Sequence, residues 1–346
     1  MLKKVLLFGL LTITIAVLAV WHWSSRPLYT DENAIDPVVL ALNSTDKSGN
    51  PFKQGFIEAN GHRLHFVEAG EGPAILFLHG FPSYWLSSIR QMQALKSNYR
   101  VIAIDGLGVE LSDAPSSVEA YRLEPMAEQL MTLLDELGEQ SVHLVGHDWG
   151  GVFAGGLAQR YPDRVKSLTI MSAVPQNAFL KLLESSESAV EDFAYIETFK
   201  RAHLPLLAIL GADKLVWEGA YQPLVGQGYL SEEEGEYFRR GTSELRRINA
   251  HLNWYRANFP SPGDIRDDHY WPSTSLAITQ PTLFVYGTDD RISADVLSLM
   301  NDAADDLTVL KFEDVGHWPH VERAEDVSNA IRSLIQRTDF TLSAKQ

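Results

Sequence analysis

A carboxylate stands where a strand is expected to end in a sharp turn. The stretch Val145-Gly146-His147-Asp148-Trp149-Gly150-Gly151 follows the apolar run Ser141-Val142-His143-Leu144 and opens onto the helix-like segment Val152 to Tyr161. Small residues around Asp148 allow a tight turn that presents its side chain at the carboxyl end of a strand, beside a helix N-terminus whose dipole suits an anion. A free Asp has a pKa of roughly 3.9, so it is ionised at neutral pH and needs no base to activate it. Such a carboxylate can displace a leaving group from a saturated carbon and become an alkyl ester. The predicted substrates are electrophilic carbons, such as epoxides and haloalkanes, rather than peptides or ordinary esters. A plain N-cap is the structural alternative for Asp148; the flanking Gly146, Gly150 and Gly151 favour the catalytic reading.

The strand–turn–helix layout resembles the nucleophile elbow of α/β-hydrolases, which normally reads G-x-S-x-G. No G-x-S-x-G occurs anywhere in the chain, which argues against a serine esterase. An ester on Asp148 needs a base for its hydrolysis. Val315-Gly316-His317-Trp318 follows the apolar-patterned segment Leu307 to Phe312, which places His317 in the last strand–helix loop, where this fold carries its histidine. His320 is its competitor, with a lid-facing or structural role expected. The orienting acid is Asp290, in Gly287-Thr288-Asp289-Asp290, with Asp289 as the neighbour open to confusion. The other position for an acid, Ala173-Val174-Pro175-Gln176, holds no carboxylate. The order nucleophile, acid, histidine is that of the α/β-hydrolase triad. In this fold the loop His79-Gly80-Phe81-Pro82 supplies one backbone N–H of an oxyanion hole and the residue after the nucleophile supplies the other, here Phe81 and Trp149. For His79 itself a loop-shaping role is expected. A His317/His320 metal pair lacks a third ligand, and neither metal nor organic cofactor is expected.

These residues need a scaffold. The chain has 346 residues, 45% hydrophobic and 21% charged, enough for one large α/β domain with an insertion. Asn60-Gly61 between Phe56–Ala59 and Arg63–Val67 signals a hairpin. Buried strands are expected at Ala74–Leu78, Val101–Ile104, Ser141–Gly146 and Ser167–Met171, with a helix from Tyr121 to Leu137. From Pro175 to Ile278 the pattern is helical, acidic and aromatic, as expected of an inserted lid. Pro281–Gly287 resumes the strand pattern, followed by a helix (Ala294 to Ala303), a strand (Leu307 to Phe312) and a final helix (Ala324 to Gln336). The expected organisation is an α/β-hydrolase core over residues 55–175 and 279–340, with a helical lid over 176–278. Its sheet should be mostly parallel, with helices on both faces.

Before the core, residues 24–54 read as a linker or loosely packed arm. Residues 1–23 read as a membrane anchor or signal segment: Lys3 and Lys4 precede an apolar run from Val5 to Val20, followed by Trp21 and Trp23. The positive flank places the hydrolase domain on the extracytoplasmic side, either anchored or, if the segment is cleaved, secreted or periplasmic. A formal charge of −16 disfavours nucleic acid and anionic membranes as partners and mildly disfavours anionic substrates. The absence of cysteine excludes a disulfide framework and a Cys nucleophile.

Taken together, His79-Gly80-Phe81-Pro82 with Trp85 and Gln91, Gly146-His147-Asp148-Trp149-Gly150-Gly151 and Gly316-His317-Trp318 resemble the α/β-hydrolase-fold epoxide hydrolases, from about Phe56 to Ile335. The resemblance implies two lid tyrosines that hold and protonate the epoxide oxygen. Tyr255, in Leu252-Asn253-Trp254-Tyr255-Arg256, matches one. Tyr195, in Phe193-Ala194-Tyr195-Ile196, is the candidate for the other, against a packing role in a chain with 12 tyrosines. A phenol with a pKa near 10 can protonate an alkoxide at neutral pH. The chain departs from the family where Asp105-Gly106-Leu107-Gly108-Val109-Glu110-Leu111-Ser112 lacks the usual Arg and second Gly, and where Ser88 and Ile89 replace a frequent Trp and Arg. A haloalkane dehalogenase is the alternative on the same triad; Phe81 stands where those enzymes often carry an Asn, and Tyr255 favours an epoxide. Fluoroacetate-type dehalogenases follow the nucleophile with arginines, whereas Trp149, Gly150 and Gly151 stand here. A non-catalytic, membrane-tethered binding protein is the remaining alternative, against which the complete triad argues. The expected reaction turns a small, neutral, apolar epoxide into a vicinal diol.

Overall fold

The computed structural model describes residues 14–15, 19, 26–272, 277–290 and 294–344, without the side chains of 294 and 295. The segment 1–23, expected as an anchor or signal, lies almost entirely outside the described residues. Among these, no helix is long and apolar enough to cross a membrane.

Eight strands form one sheet: β1 (Lys53–Ala59), β2 (His62–Ala69), β3 (Ala74–Leu78), β4 (Arg100–Ile104), β5 (Val142–His147), β6 (Val165–Met171), β7 (Thr282–Gly287) and β8 (Leu307–Phe312). Their order is β1-β2-β4-β3-β5-β6-β7-β8. The hairpin β1–β2 is antiparallel, β2 meets β4 antiparallel, and every other pairing is parallel. Asn60 and Gly61 turn the hairpin with φ of 51° and 75°, the left-handed region that Asn and Gly tolerate best. Strands β3, β5 and β7 are buried along their whole length. They read as continuous apolar runs because both faces are covered. Helix Trp149–Arg160 packs on β3, β5 and β6, and helix Ala324–Ser343 on β6 and β7. The latter helix runs further than the expected Gln336.

Within residues 26–54, part of the segment expected as a linker or loosely packed arm, the chain forms a helix and enters the core. Helix Pro37–Thr45 is capped by Asp36, whose side chain accepts from Val38 N–H at 2.7 Å, with Pro37 at the first helical position. Val38, Val39 and Phe52 enter the core. The Trp85 indole N–H donates to Asp36 at 2.7 Å. The polar, turn-rich composition hid Val38, Val39 and Phe52, which are buried while Tyr29, Ile35 and Leu40 beside them are exposed.

Between β6 and β7 the chain runs through helices from Gln176–Ser185 to Asn253–Asn258. Local signals start several of them. Ser231 and Glu234 form a capping box at helix Glu232–Gly241, and Ser186 caps Glu187–Asp192. The helices lie over the carboxyl ends of the strands, where Tyr255 stacks edge-on against Trp149 and Phe81.

Candidate active site

Asp148 ends β5 and begins helix Trp149–Arg160, with φ 51° and ψ −123°. A side chain in this strained conformation persists only where its surroundings over-determine it. Here they do. A Cβ at Gly146 would lie 2.2 Å from the Gly150 carbonyl oxygen, one at Gly150 would lie 2.0 Å from that of Leu78, and one at Gly80 would lie 2.4 Å from Asp148 Cβ. The elbow fits only because these positions lack side chains.

The Asp148 carboxylate has two distinct oxygens. Oδ1 accepts the Phe81 N–H at 2.8 Å. Oδ2 lies 3.5 Å from His317 Nε2. On the other side of the ring, His317 Nδ1 lies 3.1 and 3.2 Å from the two oxygens of Asp290. Asp289, the competing neighbour, is exposed, whereas the Asp290 side chain is only 7% exposed. Burial alone would depress the His317 imidazole; the adjacent Asp148 and Asp290 carboxylates outweigh it and raise it to about 10. Burial likewise would raise the Asp148 carboxyl, but hydrogen bonding and charge from His317, aided by the Trp149 N–H, hold it below its ordinary value. Asp148 and His317 therefore form an ion pair, with the carboxylate ionised.

Neighbours outside the triad fix the His317 loop. Glu322 accepts the Gly316 N–H at 3.1 Å and the Trp318 N–H at 3.3 Å. His147 Nε2 lies 2.7 Å from the His317 carbonyl oxygen, so it is the protonated nitrogen of a neutral ring. His320 is buried rather than lid-facing, with its ring 4.3 Å from that of His147. Desolvation, with His317 and Arg90 nearby, lowers it to about 3, so it stays neutral beside a charged neighbour. His79 shapes its loop as expected: Nε2 accepts the Gly106 N–H at 2.9 Å, which leaves Nδ1 to donate to the Gly80 carbonyl at 2.9 Å. Sequence reading missed Glu322 and the buried role of His147, because a Glu after a proline and a His inside an elbow carry no distinguishing pattern.

Above the carboxylate lies a cavity of about 650 Å³ lined by Asp148, Trp149, Phe81, Asp290 and His317 from the sheet side, and by Tyr195, Phe199, Tyr255 and Phe259 from the helices. Both candidate tyrosines thus border the same space as the triad. Tyr255 is buried, and burial together with the Asp148 charge and Tyr195 raises its phenol well above the usual value, opposed by a hydrogen bond from the Trp149 side chain. Tyr195 is half-buried and packs against Phe199. In the variant loop after β4, Glu110 holds a φ of 38°, and burial raises its carboxyl to about 8.

The alpha/beta hydrolase fold family matches residues 73–324. Epoxide hydrolase from Caballeronia sordidicola is 31% identical over 337 residues, covering 84% of this chain and 96% of that protein. Epoxide hydrolase 3 of Xenopus tropicalis is 30% identical over 293 residues, covering 81% and 76%. The chain belongs to the α/β-hydrolase-fold epoxide hydrolases. A crystal structure of an epoxide hydrolase from Vigna radiata superposes with a TM-score of 0.71 at 28% identity, covering 83% of this chain and 98% of that one. In this epoxide hydrolase family member, the matched region contains the elbow, the acid and the histidine loop alike.

Proposed function

We propose that this chain hydrolyses a small, neutral, apolar epoxide to a vicinal diol through an ester on Asp148. The observation that carries the mechanism is the division of labour between the two Asp148 oxygens. With Oδ1 held by the Phe81 amide, Oδ2, which faces His317 Nε2 at 3.5 Å, is the attacking oxygen. It attacks an epoxide carbon, the carbon–oxygen bond breaks, and the oxygen takes a proton from Tyr255, with Tyr195 as the second donor. The imidazolium of His317 returns a proton to the phenolate. Esterification removes the Asp148 charge that sustained this imidazolium, so the neutral base appears only when hydrolysis requires it.

Water then loses a proton to His317, oriented by Asp290, and adds to the Asp148 carbonyl carbon. The negative charge develops on Oδ1, within reach of the Phe81 and Trp149 amides. Collapse expels Oδ2 with the product, and the departing alkoxide takes the remaining water proton. Asp148 regains a carboxylate whose second oxygen came from water. The steps call for these side chains and one water molecule.

The helices of residues 176–278 act as the lid in this reading, and residues 55–175 and 279–340 as the core. Lys3, Lys4 and the apolar run from Val5 to Val20 support attachment to, or passage across, a membrane, with the catalytic domain on the extracytoplasmic side.

Intact mass of the His317→Gln variant tests the chemistry. Exposed to aryl epoxides and bromoalkanes together, it is expected to gain the mass of one whole epoxide. A bare alkyl adduct would instead make the protein a dehalogenase and remove the tyrosines from the mechanism.

A further inference from the structure

Four of the eleven large apolar side chains left exposed among the described residues fall within ten positions of the lid. Leu206, Ile209, Leu210 and Leu215 are 44%, 81%, 54% and 53% exposed. They sit on helices Leu204–Leu210 and Ala212–Val216. Leu210 and Leu215 also line the catalytic cavity, so the exposed ledge is continuous with its wall. A contiguous apolar patch at a cavity mouth marks an interaction surface.

The N-terminal chain arrives beside this ledge. The Arg26 carbonyl accepts from Arg246 at 2.8 Å, Leu28 pairs with Ala114, and Thr30 accepts from Arg247 at 3.1 Å. Arg246 and Arg247 belong to helix Leu245–His251, which packs directly against both ledge helices. An apolar segment ending near residue 23 is therefore only a few residues from a point fixed on the ledge's own supporting helix.

Charge does not oppose lipid contact there. Lys200 and Arg201 pair with Glu197, and Lys214 pairs with Glu218, so from Glu197 to Glu218 three basic residues meet three acidic ones and the ledge is locally neutral on a chain of formal charge −16.

We propose that this ledge docks on a lipid bilayer, so that the cavity mouth opens to the membrane and receives epoxides dissolved there. The proposal rests on the epoxide and anchor readings above and adds the face of the lid that meets the lipid. The substrate class follows: an epoxide on an apolar skeleton that partitions into lipid and enters without crossing bulk water.

The chain has no cysteine, so a single label can be placed cleanly. The full chain carrying Ile209→Cys, labelled with an environment-sensitive fluorophore, is mixed with phosphatidylcholine vesicles. A blue shift on adding vesicles is expected at this site and not for Phe340→Cys on the last helix. A label that stays in water while the protein floats with the vesicles overturns the proposal. So does failure to bind vesicles, or a shift already present without them, which would mean that the chain's own segment or a second copy covers the ledge. In a separate arm, Leu206→Glu with Ile209→Glu should slow turnover of a vesicle-dissolved epoxide about tenfold and leave a water-soluble epoxide unchanged. Equal rates on both would also overturn it. Absence of turnover on either by the unaltered chain would count against the epoxide reading instead, leaving the fluorescence result to stand alone.

Discussion

On the sheet side of the cavity, a Cβ added at Gly150 would sit 2.0 Å from a backbone oxygen, whereas on the helical side Gly219 has nothing within 4 Å of its missing Cβ. The contrast extends to every functional group. Asp148, its amide donor and His317 are fixed by backbone contacts: Phe81 N–H to Asp148, Glu322 to the Gly316 and Trp318 amides, and His147 to the His317 carbonyl. The tyrosines opposite them are held largely by rings: Tyr255 against Trp149, Phe81 and Phe199, and Tyr195 against Phe199. Backbone contacts at close range fix position to fractions of an ångström, as covalent chemistry requires. Ring packing tolerates change in size and shape, and that is where selection among epoxides can vary without disturbing the triad.

Substitutions on the two sides should therefore behave differently. The largest effect is expected for Asp148→Ala, with turnover falling by about 10⁴-fold or more because no other group can form the ester. Turnover within about 10²-fold of the parent would mean that the sheet side does not hold the nucleophile. Next comes Gly150→Ala, which should destabilise the fold by about 3 kcal/mol through overpacking at the elbow, while Gly219→Ala should be neutral or stabilise by about 0.5 kcal/mol. Denaturant midpoints compare the two directly, and equal shifts would erase the contrast. On the helical side, Tyr255→Phe should slow ester formation about 10²-fold while Tyr195 still donates, and leave ester hydrolysis unchanged. Single-turnover mass spectrometry separates these steps, and an equal loss in both would show Tyr255 to be structural.

The smallest effect concerns pH. His317 is raised in the folded protein, so its stabilisation is complete below the unfolded value of roughly 6.5 and is lost as pH rises through about 10. Asp148 is lowered, so its contribution is present above roughly 3.8 and is lost as pH falls through its folded value. Asp148→Asn should flatten the alkaline loss of stability, and NMR titration should find the His317 transition at lower pH. An unmoved transition would assign the ion pair to Asp290 alone.

The fold was legible where local signals coincide with burial. Asn60-Gly61 fixed the hairpin, and apolar runs marked β3 and β7 and, around His143, β5. Residues 37–45 were not legible, since helix Pro37–Thr45 is short and owes its place to Val38, Val39 and the Asp36–Trp85 hydrogen bond, a contact 49 positions apart in the chain. At the site, the elbow glycines made Asp148 stand out, and strand-end position singled out Asp290 and His317. Glu322 could not stand out, because its value lies in two amides of a loop that only folding brings to it.

Residue type and chain order by themselves determined which residues the proposed chemistry uses: a carboxylate at a glycine-walled turn, then an acid, then a histidine, each at the end of an apolar-patterned run. Those features are local, and local sterics and solvation act on sequence directly. Tertiary structure alone decided which Asp148 oxygen the Phe81 amide holds, that His320 is buried, and that Tyr195 and Tyr255 share one cavity. Each of these is a spatial relation between segments far apart in sequence, set by how the strand-end loops and the helices from 176 onward come together, and no period along the chain encodes it.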